Sequence, residues 1–137
     1  MESHEKGDLT EAAVITELKR RGIPVLIPFS DNQRYDLVLE AQNGRMQRMQ
    51  VKTGWLSDGV IQFHTKSQHT NSQGNVYKHY DGDIDGFLVC VHELETLYLV
   101  YEDEFNSRIT LRVETPDQPD ASINWASDYT FDERWPP

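Results

Sequence analysis

Apolar and polar positions along the chain predict one long helix followed by a meander of strands. In residues 7–22, "GDLTEAAVITELKRRG", Val14 and Leu18 recur at the spacing of one helix face. Asp8 can cap the start of this helix, and Gly22 can end it. Later apolar runs bounded by turn residues predict strands at 23–29, 34–42, 45–55, 59–66, 85–92, 96–101 and 107–114.

Three segments outside these strands have compositions that predict their roles. Asn43-Gly44 joins strands 34–42 and 45–55 and is the strongest short hairpin signal in the chain. Residues 67–79, "SQHTNSQGNVYKH", are polar and low in bulk, which predicts a mobile loop or a short helix. The C-terminal aromatic residues predict packing or subunit contact rather than catalysis: Trp125, Tyr129, Phe131 and Trp135.

Length and composition predict one domain, spanning 1–137, with a single apolar core. The chain has 137 residues, and 37% of them are apolar. Cys90 is its one cysteine, which excludes a disulfide within the chain and is typical of a reducing compartment. No apolar stretch approaches the ~18 residues that a membrane span requires. These features predict a cytoplasmic protein with no membrane partner.

Charge is distributed unevenly between the two parts of the chain. The net charge of −10 at first argues against a nucleic-acid partner, because phosphate binding normally requires a basic surface. Residues 1–80, however, hold ten Lys or Arg against nine Asp or Glu, whereas residues 81–137 hold three against fourteen. The first part can therefore offer phosphates a nearly neutral, locally basic face.

The balance of charged residues also bears on the source organism. Asp and Glu number 23 against 13 Lys and Arg, a ratio that suits a salt-loving organism. An acidic protein from an ordinary habitat is the alternative. In strong salt, binding by counterion release is weakened, so recognition of a nucleic acid would depend on geometry and direct contacts.

A polar pair in the strand 45–55 points to chemistry. Gln50 and Lys52 are two residues apart and therefore project from the same face, and Asp36 begins the preceding strand. Metal-assisted hydrolysis of a phosphodiester requires hard oxygen ligands for Mg²⁺ and an ammonium group for the attacking water or the phosphate. A carboxylate and an amide oxygen beside a lysine can supply both, so the spacing permits a nuclease site.

Glu11 has two interpretations. With Val14, Ile15 and Leu18 it forms a row on one helix face, so its carboxylate is predicted to lie on or beside the face that packs on the sheet, where a metal or its water relieves the cost of burial. The alternative is a capping box, because Asp8 and Glu11 are three residues apart and Glu11 would then bond back to the helix start. The sequence leaves both interpretations open.

The proposed site depends on how the predicted hairpin pairs. A strict two-residue turn would place Asp36 opposite Val51, on the wrong face for Gln50. A loop of three or five residues, or a bulge, would bring Asp36 to the required face. We therefore predict that the hairpin departs from the two-residue turn.

A helix bearing Glu11, a strand beginning at Asp36 and "QVK" at 50–52 together resemble the PD-(D/E)XK nuclease superfamily, which includes archaeal Holliday-junction resolvases. Residues 80–100, "YDGDIDGFLVCVHELETLYLV", are similar to its branch of group I intron homing endonucleases. The resemblance extends over most of the chain. Two positions depart from the usual pattern, because Tyr35 replaces a proline and a glutamine replaces the acid before the "xK" pair.

The resemblance implies a fold and a metal site. The fold is α/β, restriction-endonuclease-like, with a mixed central β-sheet flanked by helices. Asp36, Gln50 and the Val51 carbonyl would bind Mg²⁺, or Mn²⁺ in its place. Lys52 would position the attacking water, and Glu11 would hold a second metal or its water. The implied activity is Mg²⁺-dependent endonuclease cleavage of duplex or junction DNA that leaves 5′-phosphates.

The resemblance also implies DNA as the partner. Candidate DNA contacts are Arg34, Arg45, Arg48, Lys66 and Lys78. Lys19, Arg20 and Arg21 at the helix end have two interpretations, compensation of the helix dipole or contact with phosphates. Cleavage of both strands takes two cuts, so a homodimer or homotetramer is expected.

Two other functions fit the same residues. A DNA-binding or assembly module could have kept the fold while Gln50, which supplies an oxygen without a charge, weakened the chemistry. An RNA-processing nuclease of similar fold is the third interpretation, and only the substrate distinguishes it.

Overall fold

The structure, a computed structural model, describes residues 3–30, 32–65, 67–71, 74–78, 82–104, 109–115 and 123–137, with backbone alone at Ser3, 67–71 and 74–78. Its helices are α1 (Ser3–Arg20) and α2 (Phe131–Arg134). Its strands are β1 (Val25–Leu26), β2 (Leu37–Glu40), β3 (Met46–Thr53), β4 (Trp55–Ser57), β5 (Val60–Gln62), β6 (Ser67–Asn71), β7 (Gly74–Lys78), β8 (Gly86–Val91), β9 (Thr96–Tyr101) and β10 (Leu111–Arg112). In this part of the chain no helix is long and apolar enough to cross a membrane.

Five strands form a mixed central sheet in the order β1-β2-β3-β8-β9. β3 and β8 run parallel, with Met49 beside Gly86 and Thr53 beside Cys90, whereas the other neighbours in this sheet are antiparallel. A parallel pair requires a crossover, and residues 54–85 supply it. The predicted α/β class with a mixed central sheet is therefore confirmed.

Helix α1 begins earlier than the sequence pattern predicts. Because it is already helical at Ser3, Asp8 lies beyond its first turn and cannot cap it. A capping box would require Glu11 in the first turn of the helix. The capping interpretation of Glu11 is therefore wrong, and its carboxylate needs another explanation.

The end of α1 agrees with the prediction that Gly22 stops it. Gly22 has a φ of 72°, which glycine adopts without a steric cost. The N–H groups of Gly22 and Ile23 donate to the carbonyls of Lys19 (3.0 Å) and Leu18 (3.1 Å), which is the Schellman pattern. Ile23 and Leu18 then pack in the same core, so the chain turns directly toward β1.

The central sheet separates two apolar clusters. The cluster that includes α1 and α2 contains Val14, Leu18, Ile23, Leu37, Leu39, Met49, Leu88, Leu97, Leu99 and Phe131. The other, which includes β5 and β10, contains Ile61, Phe63, Ile84, Phe87, Val89, Val91, Tyr98, Val100, Ile109, Leu111 and Ala126. Met49 and Val51 of β3 pack toward α1, so the alternate positions, Gln50 and Lys52, lie on the other face.

Two smaller sheets accompany the central one. β4 and β5 form one of them with β10, and β6 pairs only with β7 in a two-stranded ribbon. The ribbon corrects the prediction of a loop or short helix for 67–79. That stretch lacks the apolar alternation of a half-buried strand, but pairing between two backbones does not require it. The strand predicted at 107–114 extends only over Leu111–Arg112 within the described residues 109–115.

The hairpin between β2 and β3 has a three-residue loop. The Ala41 N–H donates to the Arg45 carbonyl (2.9 Å), which leaves residues 42–44 as the loop. Gly44 ends that loop with a φ of 86°, as in the common three-residue hairpin that closes with a left-handed residue. The predicted departure from a two-residue turn is therefore confirmed.

Replacing Gly44 with alanine is expected to destabilise the protein by about 1 kcal/mol, because a Cβ is unfavourable at a left-handed residue. Gly7→Ala is the matched control. An added Cβ meets nothing within 4 Å at either glycine, so only the backbone conformation differs. Gly7 lies inside α1, where alanine should stabilise by about 0.5–1 kcal/mol. Urea unfolding that gives both variants shifts of the same sign would contradict the left-handed assignment.

Candidate active site

Asp36 lies at the start of β2, beside the strand that carries the polar pair. The pairing of β2 with β3 begins at Leu37, which lies beside Met49, and Asp36 directly precedes this pair. The Asp36 N–H donates to the Met49 carbonyl (2.8 Å), and the Val51 N–H donates to Asp36 Oδ2 (2.7 Å). These bonds hold the carboxylate against the backbone of β3, between Gln50 and Lys52.

The Asp36 carboxyl is costly to ionise where it lies. Burial raises its pKa above the ordinary value, and the Val51 N–H and the Lys52 ammonium offset only part of that effect. Cations near a carboxylate favour its charged form. The net direction is a raised pKa, so these two groups compensate the negative charge of Asp36 only in part.

Glu11 lies on α1, which packs on the face of the sheet opposite to Gln50 and Lys52, and the site residue whose charge affects it is Asp36. Burial raises the pKa of the Glu11 carboxyl, and the charges of Asp36 and Asp8 raise it further. The influence of Asp36 shows that the two carboxylates, 25 positions apart in sequence, lie close enough to repel each other. Two carboxylates that repel in the free protein become favourable together when a cation lies between or beside them.

Gln50 has a buried oxygen without a partner. Among the described residues, Gln50 Oε1 is the buried side-chain nitrogen or oxygen that makes no hydrogen bond. An unsatisfied buried acceptor costs roughly 1–3 kcal/mol, so native proteins rarely keep one without a reason. A hard cation would satisfy this amide oxygen, which makes Gln50 a suitable ligand despite its lack of charge.

Lys52 lies on the same face of β3 as Gln50 and is half-buried. Its ammonium is close enough to Asp36 to lower the pKa of that carboxyl. The site therefore contains a cationic side chain whose charge acts on the Asp36 carboxylate. Such a group can stabilise the charge that develops on a phosphate or orient a water molecule.

The donor set fits a hard divalent cation. Asp36 and Glu11 offer carboxylates and Gln50 an amide oxygen, with the Val51 carbonyl as the further predicted donor. Oxygen donors without nitrogen or sulfur suit Mg²⁺ and Mn²⁺. The described part of the chain holds no group of three or more His, Cys, Asp or Glu that could bind a metal. This site contributes only two such residues, because its other donors are an amide and a backbone carbonyl.

Two of the predicted DNA contacts form ion pairs with aspartates, one is exposed, and the side chains of the other two are not described. Arg34 pairs with Asp83 (3.2 Å), and Arg48 pairs with Asp85 (3.4 Å). Arg45 is exposed beside the hairpin loop. Lys66 lies outside the described residues, and of Lys78 only the backbone, at the end of β7, is described. Sequence reasoning missed the two aspartates, which lie before β8 and become neighbours of these arginines only because β8 pairs with β3.

Sequence reasoning also did not predict a polar cluster that lies beside the site. Thr10, directly before Glu11, is 1% exposed, and its hydroxyl lies 2.7 Å from Thr53 Oγ1 and 2.8 Å from His92 Nε2. One feature of the sequence could have indicated that Thr10 is buried, because Thr10 lies four residues before Val14 on the row of α1 that packs on the sheet. A buried hydroxyl on such a row requires partners.

Comparisons with known proteins identify the family of this chain and a similar structure. A family model described as PD-(D/E)XK endonuclease matches residues 1–132. Among solved structures, the chain is similar to a bacterial homing endonuclease, I-Ssp6803I, with 29% sequence identity and a TM-score of 0.74. That likeness covers 95% of this chain and 89% of the other. No curated protein matches the sequence.

Proposed function

The chain belongs to the PD-(D/E)XK endonuclease family, and we propose that it is a metal-dependent endonuclease that hydrolyses phosphodiester bonds of duplex or junction DNA. The single observation that carries the proposal is the hydrogen bond from the Val51 N–H to Asp36 Oδ2 (2.7 Å). It holds the Asp36 carboxylate against β3 between Lys52 and Gln50, and the buried side-chain oxygen of Gln50 has no partner. The similar bacterial structure is a homing endonuclease, an enzyme name that supports DNA as the substrate.

The residues have separate roles in the proposed reaction. Asp36, Gln50 and the Val51 carbonyl would hold Mg²⁺ or Mn²⁺, and Glu11 would hold a second ion or its water. A divalent cation supplies Lewis-acid stabilisation of the charge that develops on a phosphate. Lys52 would orient the attacking water and interact with the phosphate oxygens. The Val51 N–H fixes the Asp36 carboxylate, so that this group is already oriented before substrate binds. The expected products carry 5′-phosphates.

A cleavage assay tests the proposal directly. Purified protein is incubated with supercoiled plasmid and with four-way-junction DNA, each with Mg²⁺, Mn²⁺ or a chelator, at several salt concentrations. Nicked or linear product that requires the metal supports the proposal. DNA binding without cleavage under every metal would favour the second candidate, a DNA-binding or assembly module. The observation behind that candidate is Gln50, since an amide binds a cation less strongly than a carboxylate.

The same assay with labelled single-stranded and duplex RNA separates a third candidate, an RNA-processing nuclease. Cleavage of RNA in preference to DNA would contradict the DNA assignment while leaving the metal site in place. Gel filtration of the active protein, with and without DNA, tests the proposed homodimer or homotetramer, because two cuts in a duplex require two sites.

One segment of this acidic protein contains no carboxylate side chain that would repel DNA phosphates. From Gly59 to Tyr80 the sequence contains no Asp or Glu, although the whole chain carries a net charge of −10. This stretch includes the ribbon of β6 and β7 and the two lysines, Lys66 and Lys78. A two-stranded ribbon can enter the major groove of B-DNA. The ribbon is therefore the proposed route by which the protein contacts its substrate.

Replacing both Lys66 and Lys78 with alanine should weaken DNA binding and make it less sensitive to salt. Each lost phosphate contact reduces the slope of log affinity against log salt by about 1, so the expected reduction is about 2. Binding measured by fluorescence anisotropy between low and moderate salt gives the slope.

Lys19→Ala with Arg20→Ala is the matched control, since it removes the same charge from the exposed end of α1. Its slope should equal that of the wild type. If this pair instead reduces the slope and the lysine pair does not, the helix end contacts DNA and the ribbon does not.

A further inference from the structure

The half of α1 that carries Glu11 lies on the sheet with few buried side chains. Of residues 4–11, only Thr10 is buried. The buried apolar residues of α1, Val14 and Leu18, lie one and two turns further along the helix. The position of the N-terminal half therefore depends strongly on the contacts of Thr10.

Thr10 connects α1 to both strands of the parallel pair. Its hydroxyl oxygen lies 2.7 Å from Thr53 Oγ1, at the end of β3, and 2.8 Å from His92 Nε2, directly after β8. A threonine hydroxyl donates one hydrogen bond and can accept two. Both contacts can therefore be satisfied whichever ring nitrogen of His92 carries the proton.

We infer that Thr10, held by Thr53 and His92, is a positioning residue that fixes the Glu11 carboxylate for metal binding. The inference rests on the proposed metal-dependent function. Glu11 directly follows Thr10, so a rotation or lift of this end of α1 would move the Glu11 carboxylate away from Asp36. Hydrogen-bonding groups behind metal ligands typically change metal affinity or activity by about 10–100-fold when they are removed.

Three variants separate positioning from packing. Thr10→Val keeps the shape of the side chain and removes the hydroxyl, whereas Thr10→Ser keeps the hydroxyl. Thr16→Val is the matched control, because Thr16 is exposed on the same helix and its hydroxyl donates locally to the Ala12 carbonyl (2.9 Å). In Thr10→Val, the Mg²⁺ concentration for half-maximal cleavage should rise about tenfold or more, with an unchanged KM for DNA. Thr10→Ser and Thr16→Val should match the wild type.

A merely structural defect would give a different result. Loss of folded protein lowers the extent of cleavage at every Mg²⁺ concentration but does not move the midpoint. Affinity for Mn²⁺ alone, measured by titration calorimetry without DNA, is the readout that does not need activity, and it should weaken in Thr10→Val. An unchanged Mg²⁺ midpoint and an unchanged Mn²⁺ affinity in Thr10→Val would overturn the inference.

Amide hydrogen exchange over residues 8–13 tests whether Thr10 anchors this part of α1, and this measurement does not depend on DNA cleavage. If the wild type neither cleaves DNA nor binds Mn²⁺, the proposed function fails, and the role of Thr10 toward a metal fails with it. If the wild type binds Mn²⁺, faster exchange in Thr10→Val than in Thr16→Val supports anchoring of this segment. Equal amide exchange in the two variants overturns the inference about Thr10.

Discussion

Asp36→Asn is expected to abolish cleavage while making the metal-free protein more stable at neutral pH. Asparagine keeps an oxygen that can accept the Val51 N–H but removes the negative charge that would hold the cation. A bound metal contributes several kcal/mol of transition-state stabilisation, so the rate should fall by about a thousandfold or more. Initial rates of plasmid cleavage under saturating Mg²⁺ measure this effect.

The gain in stability follows from the raised pKa of Asp36. A carboxyl whose pKa is higher in the folded than in the unfolded protein keeps its proton longer when folded, so stability falls as pH rises through this interval. Asparagine resembles the protonated form and does not titrate. Without metal, the free energy of unfolding of the wild type should therefore decline relative to Asp36→Asn as pH rises above about 4, the ordinary pKa of an aspartate. A variant that is less stable than the wild type at neutral pH would contradict the proposed cost of this charge.

Lys52→Met is expected to reduce the cleavage rate by about 10²–10³-fold, the range observed when one group that stabilises transition-state charge is removed. Methionine is unbranched, like the stem of lysine, so loss of packing is small. Lys52 lowers the pKa of Asp36, so its removal should raise that pKa further and move the rise of the pH–rate profile to higher pH.

Lys19→Met is the matched control for this change, because Lys19 is exposed at the far end of α1. Single-turnover cleavage separates the chemical step from DNA binding for both variants. If Lys52→Met weakens only DNA affinity and leaves the single-turnover rate intact, Lys52 acts as a phosphate contact and not in the chemical step.

The family could be predicted from sequence because it depends on local patterns, and the same patterns provided the proposed site residues. Two polar residues at alternate strand positions must share a face. That requirement alone indicated that a two-residue turn would place Asp36 on the wrong face for Gln50. The structure supplied the three-residue loop that satisfies it. The family match confirms the superfamily that Glu11, Asp36, Gln50 and Lys52 indicated.

The errors arose where tertiary pairing overrides local signals. Asp8 followed by Glu11 has the spacing of a capping box, but α1 continues toward Ser3, so the spacing has no role at the helix start. Residues 67–79 have no apolar period, yet two segments of this stretch pair as β6 and β7. The contact between Thr10 and His92 joins positions 82 residues apart, and no local pattern encodes that distance.

The parallel pairing of β3 and β8 also bears on how this protein can diverge. The chain leaves β3 just after Lys52 and rejoins the sheet at Gly86, beside Met49, so backbone pairing fixes both ends of the crossover to β3. Within the crossover, Ile61, Phe63 and Ile84 are buried in the core, whereas β6 and β7 form a separate two-stranded sheet. The ribbon is therefore the segment of the crossover that can change in length or sequence with the least effect on how β3 is held.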